Sequence, residues 1–245
     1  MDSNQAESVA ALVQSKRPRG LFAKEFTRAA WFGPCVYLLY RFFILPGGAI
    51  LLARSPVGNY TILVNYGPAA VFLGAMFLLH RRYFANSINF VGSFRAKDVI
   101  VGVAAISALY VATNCIAVWI HQPREPIMEG MFRSLTPTQT SFLIGSLLCL
   151  PPIVEELAFR HFLASFFPFR KSIVWAFVAV ILTALWFTHM HSYVYLTSDV
   201  TIFLMGIILG LARVRTLGMV LPMCLHAYSI GFALLADFVR TSYAG

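Results

Sequence analysis

Seven apolar runs of membrane-crossing length govern what this chain can become. They cover residues 29–52, 60–80, 99–120, 140–167, 172–192, 198–212 and 217–239. A helical span needs about 20 predominantly apolar residues, so the runs predict an all-α, polytopic transmembrane helix bundle. The first run carries Arg41 and Pro46-Gly47-Gly48, where it could break or end early. The fourth is long and holds Pro151-Pro152; the sixth is short. Composition agrees: 59% of the 245 residues are apolar and only 12% are charged. A soluble domain carries about 25% charged residues. A chain this apolar could not hide its surface in water, which argues against a soluble enzyme, a disordered chain or a disulfide scaffold. The expected organisation is a basic cytoplasmic tail over 1–28 and a single membrane-embedded bundle over 29–245. No apolar segment with a small-residue cleavage site directly follows the tail, so no removed signal peptide is expected.

Loop charge tests the count of spans. Segments on the N-terminal side of the bundle hold 13 Lys/Arg: five in the tail, then Arg81, Arg82, Arg95, Lys97, Arg170, Lys171, Arg213 and Arg215. The opposite side holds four, Arg54, Arg124, Arg133 and Arg240. Positively charged loops favour the cytoplasm, so the N-terminus is expected inside and the C-terminus outside. A miscounted span would scramble the alternation. The formal charge of +9 then reflects loops facing cytoplasm and anionic lipid rather than a nucleic-acid partner. Cys35, Cys115, Cys149 and Cys224 all lie within apolar runs without paired short spacing. They read as small buried apolar residues, not as disulfides or zinc ligands.

Ionisable groups inside a bilayer are costly and point to function. The densest cluster is PPIVEELAFR, residues 151–160. Pro151-Pro152 is expected to stop the incoming helix and start a new one, because proline suits a first helical turn. Glu155 and Glu156 would then sit near a helix N-terminus, where the dipole favours negative charge. Arg160 lies four residues after Glu156, on the same face, and can pair with it. Glu155 points about 100° away around the helix. One carboxylate is neutralised and its neighbour is left free, a natural source of a tuned general base. In ALWFTHMHSY, Phe187 and His191 share a helix face, and His189 points elsewhere. His226 lies in the last run, about 14 Å along the helix from its start near Leu217. Gly206-x-x-x-Gly210 suits close helix packing within the bundle. One tension stands out: about 30 Å of helix separates Lys171 from His191. For His191 to meet His226, that helix must protrude into the cytoplasm or tilt.

Taken in order, Glu155-Glu156-x-x-x-Arg160, Phe187-x-x-x-His191 and a late membrane span with His226 resemble the CPBP family of CAAX proteases and bacteriocin-processing proteins. The resemblance covers about 145–235. It implies a glutamic-type intramembrane endopeptidase in which Glu155 activates water and His191 shares the proton work. By the same resemblance Glu156 and Arg160 orient and charge-balance the site, His226 helps bind the oxyanion, and Phe187 belongs to the substrate-binding set. The family often has Asn four residues after the last histidine, where this chain has Ile230.

The expected substrate is a hydrophobic or lipid-anchored peptide or protein, cut near its terminus, with membrane lipid as the surroundings and no nucleic acid. No cofactor and no metal are expected. Glu155, His191 and His226 could form a His2Glu zinc set, but no HExxH spacing is present and the resemblance favours metal-free chemistry. Two further readings are a non-catalytic membrane scaffold or immunity protein, to which Ile230 lends weight, and a proton-coupled transporter using the same carboxylates and histidines as a relay. The interrupted fourth span expected at Pro151-Pro152 is compatible with the latter.

Overall fold

A computed structural model describes residues 31–53, 60–83 and 89–243. The basic tail over 1–28 and Arg54 lie outside the described residues. Seven helices are long and apolar enough to cross a membrane, which makes this an integral, multi-pass membrane protein. In chain order they are α1 (31–53), α2 (Thr61–Tyr83), α3 (Ala96–Trp119), α5 (Pro137–Glu155, continued to Phe166), α6 (Ile173–His191), α7 (Leu196–Thr216) and α8 (Val220–Tyr243). A two-turn helix, α4 (Pro126–Phe132), lies in the connection between α3 and α5. No strand occurs among the described residues. In lipid each backbone polar group must be satisfied within its own segment, which leaves helices as the natural solution.

Polar side chains mark where the spans begin. At the start of α5, Thr136 and Gln139 form a reciprocal capping box and Pro137 takes the first helical position. Ser172 caps α6 by accepting the Val174 amide at 3.2 Å. At the basic end, residues 90–93 pack onto the α7–α8 turn: Ser93 donates to the Thr216 carbonyl and Met219 to that of Phe90. Gly92, at φ +75°, faces Gly218 so closely that a Cβ there would stand 2.5 Å from the Gly218 Cα. Only glycine fits this approach.

Two expected interruptions did not form. α1 runs through Pro46-Gly47-Gly48, with a π-helical stretch over Tyr40–Ile44 that contains Arg41. More consequentially, α5 passes through Pro151 and Pro152 without stopping and then widens into a π-helix over Glu156–Leu163. Glu155 and Glu156 therefore lie in mid-span and not at a new helix N-terminus. Proline removes a backbone donor, but membrane helices tolerate this where neighbouring helices pack around them. Both prolines are buried here. With that span continuous, the interruption that suited a transporter is absent.

The fourth span is the most enclosed, with half of its apolar window buried. It forms the axis of the bundle, and the core around it draws on α1, α2, α3, α6, α7 and α8. Large apolar side chains such as Phe43, Val71, Phe177 and Leu204 instead point outward, because lipid is as apolar as a core. The four cysteines belong to this outer set: all are exposed and unbridged, so the reading of them as buried fillers was wrong. The GxxxG pair does mediate packing. A Cβ on Gly206 would come within 3.1 Å of the Ala184 Cβ, and one on Gly210 within 3.0 Å of Val180. α6 and α7 thus meet nearly backbone to backbone.

Gly206→Val should overpack that contact and cost about 1–3 kcal/mol, read as a lower Tm of the purified protein in detergent. Gly145→Ala, whose Cβ would meet nothing within 4 Å, should leave Tm unchanged or slightly higher.

Candidate active site

The site is assembled on α5, where Glu155 closes the α-helical part and Glu156 and Arg160 lie on one face of the π-helical stretch that follows. Glu156 is fully buried. Its Oε1 lies 3.3 Å from Arg160 NH1 and accepts a hydrogen bond from His226 Nδ1 at 2.9 Å. Arg160, itself 1% exposed, donates to the Gly206 carbonyl at 3.3 Å. That carbonyl is reachable because Gly206 lets α7 come close. The guanidinium also lies over the Phe187 ring, 4.3 Å from its centroid, a favourable cation–π geometry. One buried carboxylate is thereby matched by one buried cation and one imidazole donor. A charge this deep requires that degree of compensation.

Glu155 has a different environment. Its Oε1 accepts a hydrogen bond from the Tyr66 hydroxyl at 2.7 Å. Its Oε2 is buried without a hydrogen-bond partner and lies 3.5 Å from His226 Nε2 and 3.9 Å from His191 Nε2. These gaps exceed a normal hydrogen bond, so the three atoms converge on a common space without occupying it. His191 Nδ1 donates to the Phe187 carbonyl at 2.8 Å. His226 Nδ1 is likewise engaged, by Glu156. Each imidazole is thus oriented through Nδ1 and presents Nε2 to Glu155. The reactive groups line a cavity of about 230 Å³ whose walls include Ile62, Met131, Leu147 and Leu234.

The residues singled out in the sequence are brought together, with Phe187 in a particular place. It is fully buried, with its ring edge-on to His191 and His226 at centroid distances of 4.4 and 5.9 Å. It holds the imidazoles and Arg160 in position from behind. His189 is exposed on the other side of α6, against Trp186. The distance conflict over Lys171 resolves by stagger. His191 is the last residue of α6, about 27 Å of helix from its start, whereas His226 is about 9 Å from the start of α8. The two helices meet at the site with their basic ends offset.

Tyr66 was not foreseen: a tyrosine in an apolar run carries no signal of its own until folding sets it against a carboxylate. Arg213 is the other surprise. It was counted as a loop charge, yet it is 3% exposed and its Nε donates to the Arg160 carbonyl at 3.3 Å. Tyr193, in the α6–α7 connection, stacks on His191 at 5.7 Å and lines the cavity. Burial, reinforced by the nearby Tyr110 hydroxyl and Glu155, holds its phenol well above the usual tyrosine range, so it remains a hydrogen-bond donor at neutral pH. Among the described residues no group of three or more His, Cys, Asp or Glu is arranged to hold a metal ion.

Comparison with known proteins falls on this same region. Residues 137–229 match the family model described as type II CAAX prenyl endopeptidase Rce1-like. Over that segment the chain is similar to the Rce1-like family. The match begins at the first residue of α5 and ends three residues after His226, so it spans Glu155, Glu156, Arg160, Phe187, His191 and His226 but not Tyr66. The chain is also 29% identical over 189 residues to an uncharacterised 24.3 kDa protein of Escherichia coli, covering 76% of this chain and 85% of that one. No solved structure matches. The match supports, at the level of that family, a membrane-embedded protease.

Arg160→Ala should leave Glu156 buried with only His226 for compensation, at a cost of about 3–5 kcal/mol. The expected result is a sharply lower Tm and a reduced yield of monodisperse protein, without recovery in the Arg160→Lys variant, which cannot reach both Glu156 and the Gly206 carbonyl with a planar fork.

Proposed function

We propose that the chain is a glutamic-type intramembrane endopeptidase that hydrolyses a peptide bond near the terminus of a membrane-associated protein or peptide. The observation that carries this reading is Glu155 Oε2: buried, without a hydrogen-bond partner, and facing two Nε2 atoms at the base of a cavity. A water in that space would lose a proton to Glu155 as its oxygen attacks the substrate carbonyl carbon. The resulting oxyanion would be met by His226 in its imidazolium form, in which Nδ1 donates to Glu156 and Nε2 carries the second hydrogen. The proton then passes, through His191, to the amide nitrogen as the C–N bond breaks. The products are a carboxylate and a protonated amine, which takes the second water proton, and the enzyme regains its starting protonation state.

Ile230 stands where the family resemblance implies asparagine. It lines the cavity one turn beyond His226 and offers no hydrogen. Hydroxyl groups of Tyr110, Tyr193 and Ser229 line the same space; that of Ser229 already donates to the His226 carbonyl at 2.8 Å. In the proposed mechanism a tyrosine supplies what the missing amide would have given, with the protonated Tyr193 in closest association with His191. Ile230 is also the feature that favours the second reading, a non-catalytic membrane scaffold. Glu156, Arg160 and Phe187 act in both readings, as positioning residues.

Purified protein incubated with candidate membrane peptides, with fragments read by mass spectrometry, separates the readings. Glu155→Gln should lower cleavage on the order of 10²–10⁴-fold with Tm preserved; equal cleavage by the variant would leave the scaffold. Tyr66→Phe should fold normally and slow turnover on the order of ten- to a hundredfold, the usual worth of a hydrogen bond to a charged group.

A further inference from the structure

The cavity has a direction. On α2 it is lined by Ile62 and Tyr66, in the first two turns, whereas Arg81 and Arg82 mark the far end. On α5 its lining residues are Leu147, Pro151 and Glu155, with none beyond Glu155. On α8 the lining begins at His226 and continues to Leu234, toward the C-terminus. α4 closes the same side with Ile127, Met128 and Met131. From the reacting groups the space therefore runs only toward the α3–α5 connection.

The other direction is sealed. Below Glu155, Phe159, Phe162 and Phe187 are 0–4% exposed, as are His80, Arg160 and His161. His80 and His161 are joined at 3.1 Å, with Phe162 stacked on His80. Among the described residues no route for a peptide crosses this layer.

Charge differs just as clearly between the two ends. Beyond the sealed layer lie Arg81, Arg82, Arg95, Lys97, Arg170, Lys171, Arg213 and Arg215, against Asp98 alone among the described acids. At the open end the described charges are Arg124, Arg133 and Arg240 against Glu125, Glu129, Asp199 and Asp237. A second chamber of about 150 Å³ continues the cavity there. The two share Tyr110, Met128, Tyr193, Ile202 and Ala233. Its outer wall is tied by the Arg124–Asp237 pair at 2.5 Å and by Glu125, which accepts the Val194 and Tyr195 amides.

We propose that the active site opens away from the cytoplasm and takes an apolar, extended peptide segment presented at the outer face of the membrane. The basic end of a bundle is held in the cytoplasm, and the only described approach to Glu155 is from the opposite end. The aliphatic and methionine walls select an apolar segment, with polar contacts confined to the catalytic base and the tyrosines. A cytoplasmic prenylated tail would meet the sealed side. This proposal rests on the endopeptidase reading for its substrate, but the side of entry is measurable without turnover.

The test uses single cysteines in a full-length chain whose four native cysteines are alanine, expressed in bacterial cells. Met131→Cys lies at the mouth, Ile230→Cys deeper in the cavity, and Lys171→Cys at the basic end. A membrane-impermeant maleimide small enough for the periplasm should label the first two in intact cells, and Lys171→Cys only after permeabilisation. Labelling of Lys171→Cys in intact cells, or protection of Met131→Cys, overturns the proposal. Two single-span probes then carry a Leu/Val/Ala decapeptide next to the membrane, one on the outer and one on the inner side. Coexpressed in a Glu155→Gln background, the outer probe should slow Ile230→Cys labelling at least fivefold and the inner probe should not. Protection by the inner probe, or by neither, overturns the substrate assignment. Should Glu155→Gln prove to cleave as well as wild type, the endopeptidase reading fails while the side of entry stands on the labelling.

Discussion

The structure depends on keeping one ionised carboxylate in the centre of a membrane bundle. Glu156 is fully enclosed, and burying an isolated charge costs far more than the net stability of a protein. Arg160 answers it from one helical turn away, and His226 from another span. Arg160 in turn needs the Gly206 carbonyl and the Phe187 ring. One charge thereby dictates the approach of α6, α7 and α8 to α5. The close packing at Gly206 and Gly210 is part of the same requirement, since a larger residue would hold α7 away from the guanidinium.

That arrangement lets the neighbouring carboxylate remain uncommitted. Glu155 has one oxygen held by Tyr66 and the other turned into the cavity. The two glutamates are adjacent in sequence, yet a single step around the helix sends one into the packed core and the other to its edge. The histidines repeat the arrangement, each engaging a partner through Nδ1 and turning Nε2 toward Glu155. Fixing geometry with one atom while reserving another is how a site gains preorganisation without losing its reactive group.

Much of this was legible beforehand. Hydropathy located the spans, because bilayer thickness sets their length regardless of packing detail. The spacing of Glu156 and Arg160 revealed their pairing, since four residues return to the same face even where the helix widens. What escaped was whatever depended on neighbours. Pro151-Pro152 obeys a local rule for ending helices, but packing from the surrounding spans overrode it. The cysteines were judged by the habits of soluble cores, which do not apply where the exterior is lipid. Tyr66 is 89 positions from Glu155, and nothing near it in the chain hints at a carboxylate partner. Arg213 was read as a loop cation because it closes a helix, and only the folded bundle draws it under Arg160.

The aromatic layer beneath the reacting groups has a kinetic consequence. Among the described residues the chamber is closed at its lower end, so under the proposed hydrolysis both halves of a severed chain would retreat along the route by which the intact one arrived. The more hydrophobic half, clinging to greasy walls, would be the slower to depart and would compete with the next arrival. Steady-state pace would then be governed by clearance of that fragment rather than by bond breaking, and accumulated product would throttle its own formation.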